Sequence, residues 1–161
     1  MSSQSQYQTL FAYHRHTTQR LLECAAKLSG ADYTHNPGYG HGSIHDLLFH
    51  LLRTDRSWRL ALETGKQTAG VRPEEFPDLQ SLRAGFEREQ AAWQALLDRY
   101  VDSAIEGDVA LTNWRGDRMA IPLWRVLQHL VLHGMQHHAE LAQLLTAKGQ
   151  SPGDIDFIFF A

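Results

Sequence analysis

Ten histidines in 161 residues, four of them within residues 129–138, are the part of this sequence best equipped for chemistry. At about 100° per residue on a helix, His133 and His137 lie one turn apart and about 40° apart around the axis. The spacing His-x-x-x-His commonly gives two imidazoles to one metal ion. A single buried histidine is usually satisfied by hydrogen bonding. That reading is weaker for two stacked rings, which repel each other when protonated. Gly134 stands where a thermolysin-type zinc motif places its catalytic Glu, so that chemistry is excluded.

Against the apolar stripe centred near Leu130 and Leu141, His137 falls inside, His133 falls at one edge and His138 at the opposite edge, while His129 is about 100° from Leu130, so His129 and His138 lie away from the pair. A metal site needs a third ligand from another helix, and the candidates are His14, His16, His35, His41, His45 and His50. His50 borders the apolar face of its helix, with Asp46 and Thr54 one turn to either side in a short polar strip. His45 points about 140° away from His50, so the two cannot share a site. His14 and His16 lie on the first helix and suit a supporting role, while His35 and His41 fall in a loop and are expected to be solvated.

Four long amphipathic segments must position these groups. The first runs from about Tyr7 to Leu28, the second from Ser43 to Gly65, the third from Asp78 to Val101, and the fourth from Pro122 to Gly149. Ser43 and Asp46 form a capping-box pair, and Pro122 suits a first turn. Apolar arms on either side of Arg115-Gly116-Asp117-Arg118 predict a small hairpin between the third and fourth helices. The expectation is an all-α, single-domain four-helix bundle spanning 1–161. The 13-residue connection from Gly65 to Pro77 can run back along a ~33 Å helix, so the second and third helices can be parallel.

Composition narrows the function. Acidic residues outnumber basic ones 18 to 15, a net charge of −3, which argues against a nucleic-acid or anionic-membrane footprint. The sole cysteine, Cys24, excludes an internal disulfide and sits on a core stripe, so a protein thiol nucleophile is not expected. No apolar run reaches the ~18–20 residues of a membrane span, and the N-terminus lacks signal-peptide character. A cytoplasmic protein is expected, with no nucleic-acid or membrane partner.

Leu10-Phe11-Ala12-Tyr13-His14-Arg15, Gly42-Ser43-Ile44-His45-Asp46-Leu47-Leu48-Phe49-His50 with Trp58 eight residues on, and Pro122 to His129 followed by His133-Gly134-Met135-Gln136-His137 together resemble the DinB/YfiT-like superfamily of metalloenzymes. Gly149 and Pro152 match the family's usual ending. The resemblance implies an up-down-down-up bundle, a homodimer, and a zinc or nickel ion held by His50, His133 and His137. It differs where the family often has Arg-Gly-Gln, here His138-Ala139-Glu140, and where the first helix often carries Asn and Trp, here His14 and His16. Some relatives are thiol S-transferases or isomerases that use a low-molecular-weight thiol.

Two functions follow as expectations. One is a metal-dependent enzyme of thiol-transferase or hydrolase type acting on a small molecule, with Glu140 or Asp46 as candidate proton shuttles. The other is a non-catalytic metal-binding, stress-response interaction protein in which the ion pins helices together.

Overall fold

The helices begin where side chains can satisfy their first amides. In the computed structural model, which describes residues 2–68 and 70–160, α1 (Ser3–Ala25) starts on Ser2, whose side chain accepts from the Ser5 amide. Helix α3 (Ile44–Thr64) opens on the Ser43–Asp46 capping box and stops at Gly65, which adopts φ 72°. Helix α4 (Leu79–Arg99) is capped by Asp78 and Ser81. Helix α6 (Leu123–Ala147) follows Pro122, and its first amide donates instead to the Gly107 carbonyl at 2.9 Å. Two single-turn helices, α2 (Gly30–Thr34) and α5 (Asp102–Glu106), escape the sequence reading because five residues carry no readable period. The hairpin is present: β1 (Asp108–Thr112) pairs antiparallel with β2 (Arg118–Pro122).

Cross-helix contacts fix the direction of every helix. Tyr7 reaches Trp124 and Thr18 reaches His138, so α1 and α6 run parallel. Arg59 pairs with Glu89 and Arg99 with Glu63 across α3 and α4, while Leu52 lies beside Gly85, so these two also run parallel. Gln4 meets Leu97 whereas Arg83 meets Leu22, which makes α1 and α4 antiparallel. His50 meets His133 while Trp58 meets His129, which makes α3 and α6 antiparallel. The order is up-down-down-up. The described residues between Gly65 and Asp78 return along α3, held by the Ser57–Thr68 bond and by buried Val71 and Phe76. The start of this segment joins the hairpin, where the Thr112 amide donates to the Gly65 carbonyl at 2.8 Å. Among the described residues, no helix is long and apolar enough to cross a membrane.

The apolar core has two parts. One is built around Leu21, Leu48, Leu51, Leu82, Phe86 and Leu141, the other around Tyr7, Trp93, Leu97, Leu123, Leu127 and Leu130. Between them, at mid-height on every long helix, lie the buried polar residues His14, Thr17, Thr18, Asp55, Glu89, His137 and His138. Glu89 receives Arg59 through both Nε (2.5 Å) and Nη2 (3.0 Å), and the Trp93 indole donates to the Asp55 carbonyl at 3.1 Å. The parallel α3–α4 pair closes tightly at Gly85, where an added Cβ would stand 2.5 Å from Phe76 Cε1 and 2.7 Å from Leu52 Cδ2. Gly85→Val is therefore expected to cost about 1–3 kcal/mol by overpacking. Urea unfolding measures it, and an unchanged midpoint would refute close packing at this point.

Candidate metal centre

The antiparallel contact between α3 and α6 brings three imidazoles to one point. His50 Nε2 lies 3.0 Å from His133 Nε2, and His137 Nε2 lies 3.1 Å from the same His133 atom. A neutral imidazole has one N–H and one lone pair. Glu140 Oε2 lies 3.0 Å from His137 Nδ1, and an ionised carboxylate only accepts, so the proton sits on Nδ1 and the Nε2 lone pair faces the cluster. Ligand nitrogens on a tetrahedral zinc ion at about 2.0–2.1 Å are roughly 3.3 Å apart. The observed spacings fall within a few tenths of an ångström of that. Protons can reconcile such nitrogens only pair by pair, whereas one cation engages all of them, so the donor set fits a divalent ion.

The surroundings keep His50 and His133 uncharged. Burial, reinforced by the neighbouring histidines, lowers the His50 pKa to about 4 and the His133 pKa to about 3. Arg53 adds to the effect on His50, and Glu140 opposes it. Uncharged imidazole is the form that binds metal.

His41 is an exposed loop residue, as expected, whose ring also packs against the cluster. Its ring is 4.2 Å from that of His50 and 4.6 Å from that of His137, and its ligand atom lies within 4.8 Å of theirs. The side chain is still 39% exposed, at the mouth of the cluster. A loop position carries no periodicity, so the wheel could not place it. A cavity of about 260 Å³ opens beside it, lined also by Tyr39, Leu47, Glu140 and Gln143. A second, more open cavity of about 390 Å³ lies one turn along α3 from His50, between Arg53, Thr54, Trp58 and Trp114.

His138 lies away from the ligand pair, as the wheel places it, and is fully buried. Its Nε2 lies 2.9 Å from Thr18 Oγ1, and its ring stacks on His14 at 4.8 Å. His14 in turn lies 3.0 Å from Asp55 Oδ2, a buried carboxylate that the sequence reading did not single out. Gly134 explains why the thermolysin-type Glu is replaced here: any Cβ at that position would fall on the His14 ring. These residues form a polar layer behind His133 and His137. His129 is exposed, but its ring rests 5.7 Å from His133 and 5.6 Å from Trp58, so it is a flanking group and not a remote one. His45 bonds Tyr33, His16 faces Phe160, and His35 is exposed, all outside the cluster. Asp46 is occupied by Ser43 in the α3 cap, which leaves Glu140 as the carboxylate in contact with the cluster.

Fold and site together define a four-helix bundle with crossed connectivity and a histidine cluster between its second and last long helices. The chain belongs to the DinB family, whose sequence model matches residues 1–161. No curated protein matches. Among solved structures, the chain is similar to YfiT from Bacillus subtilis, described as a probable metal-dependent hydrolase with an unusual four-helix bundle topology. The identity is 14% and the TM-score 0.72, over 94% of this chain and 92% of that one. It is also similar to the DinB-like protein YjoA from Bacillus subtilis, at 19% identity and TM-score 0.67, over 91% of this chain and 94% of that one.

The depressed pKa values carry a consequence for the metal-free protein. The unfolded chain takes up protons on His50 and His133 near pH 6.5, whereas the folded chain resists until about pH 4 and pH 3. Between those limits the unfolded state binds more protons, so stability rises with pH and is lost on acidification from pH 6.5 towards 4. Thermal melts at pH 7.5 and 5.0 test this. The melting temperature is expected to fall in acid, and to fall less in His50→Gln, His133→Gln protein; equal values at both pH points would contradict it.

Proposed function

We propose that this protein is a metal-dependent enzyme in which His50, His133 and His137 hold one zinc or nickel ion. The observation that carries the reading is the convergence of three imidazole Nε2 atoms, 3.0 and 3.1 Å apart. A divalent ion held there supplies Lewis acidity, acidifying an attacking water or thiol and polarising an electrophile. Glu140 orients His137 through its Nδ1 proton, the usual role of a carboxylate behind a metal-binding imidazole. The cavity beside His41 and Glu140 gives a small substrate a place next to the cluster.

The attacking group comes from solution. Cys24 is buried on α1 within the apolar core, away from the histidines. A water makes the protein a hydrolase, the activity named for YfiT, and a low-molecular-weight thiol makes it an S-transferase. The test is metal content followed by turnover. Wild-type protein is expected to bind one ion per chain, and His137→Ala to lose stoichiometric binding while keeping its helical circular dichroism. Unchanged metal content in that variant overturns the ligand set. Turnover of an electrophile that requires added bacillithiol, mycothiol or glutathione, and disappears in His50→Ala, assigns the transferase; thiol-independent turnover assigns the hydrolase. An ion bound with no turnover of any kind leaves the non-catalytic binding protein.

A cytoplasmic homodimer is part of the same proposal. Trp114 is 73% exposed and Ile158 82%, apolar surface that the bundle itself does not cover. Light scattering at micromolar concentration is expected to give twice the 18.3 kDa chain mass, and a monomer throughout would count against it.

A further inference from the structure

We propose that His41 is an exchangeable fourth ligand, delivered by the α2–α3 loop to the ion held by His50, His133 and His137 and released when a thiol or substrate arrives. The inference rests on the three-histidine reading above. Its basis is placement. The His41 ring packs against two of the three proposed ligands, 4.2 Å from His50 and 4.6 Å from His137, and it is not in contact with solvent alone. Its ligand atom is within 4.8 Å of those of His50 and His137, so closing to roughly 3.3 Å from these two needs a shift of about 1.5 Å or less.

The loop is built to present that ring. Gly40 and Gly42 on either side adopt φ 62° and 95°, backbone that other residues rarely take. An added Cβ at Gly42 would stand 2.7 Å from Asp46 Oδ2, the carboxylate that caps α3, so the loop is seated directly on the first turn of the helix that carries His50. His41 nevertheless belongs to no helix and keeps a 39% exposed side chain beside a cavity, whereas His137 is 2% exposed on α6. Of the four imidazoles it is the one that can leave without disturbing the bundle.

The exchange balances simply. With an ion held by His50, His133 and His137, the incoming sulfur would take the place of His41 in its coordination. The thiol proton passes to the freed imidazole, whose Nδ1 lies 3.8 Å from Glu140 Oε2. The same residue would then hold the proton that a leaving group needs.

X-ray absorption at the zinc edge counts imidazoles directly and needs no turnover. Zinc-loaded wild-type protein is expected to show four, and His41→Ala three, with the zinc Kd raised about tenfold, the scale seen when metal sites lose supporting groups. Adding 2-mercaptoethanol to the wild type is expected to replace one imidazole by one sulfur. Three imidazoles in the wild type with an unchanged Kd in His41→Ala overturn this inference and leave the three-histidine site standing. Four imidazoles that persist in excess thiol overturn the exchange and make His41 a permanent structural ligand. A wild-type chain that takes up no stoichiometric zinc fails the underlying site instead.

Discussion

A polar layer at mid-height, where an ordinary bundle would be apolar, governs this structure. His14, Thr17 and Thr18 on α1, Asp55 on α3, Glu89 on α4, and His137 and His138 on α6 are all buried. Each such group costs free energy unless it finds a partner, and most do so across helices: Asp55 with His14, Glu89 with Arg59, and Thr18 with His138. The two apolar clusters above and below therefore act as clamps. They hold the helices at a register that these pairs specify, since sliding any helix by one turn would strand buried charge and imidazole in hydrocarbon.

The crossed connectivity puts that layer to use. In a simple hairpin bundle the first and second long helices are neighbours. Here they stand at opposite corners, and each packs against α4 and α6. Helix α6 thus faces α1 on one side and α3 on the other. Consecutive residues His137 and His138 divide the work, one turned to His50 and the other to Thr18 and His14. The cluster on α3 and α6 is backed directly by the α1 layer, with Gly134 leaving the space in which the His14 ring sits.

The same geometry explains what the sequence made readable. The four long helices, the Ser43–Asp46 cap, the hairpin and the parallel crossover follow from periodicity, capping chemistry and connection length, and the structure contains them. His138, at the far edge of the stripe on the wheel, is completely buried because α6 has two neighbours and buries a wider arc. Asp55 is not singled out by its sequence neighbourhood. Only its contact with His14, 41 positions away, gives it meaning, and no local pattern encodes that. His41 lies in an aperiodic loop whose path is set by glycine conformations, so its approach to His50 becomes visible only once the chain is folded.

The parallel pairing of α1 with α6 joins elements from opposite ends of the sequence, with Tyr7 bonding Trp124 across 117 positions. Such contacts give a helical protein an unusually non-local topology, and closing long loops before any reward slows folding. During synthesis, His50 emerges long before His133, separated from it by 83 positions. A ribosome-bound chain therefore offers a metal one imidazole and no pocket. The complete donor set arises only when α6 docks on α3, so capture of an ion by this cluster would report that the bundle has assembled.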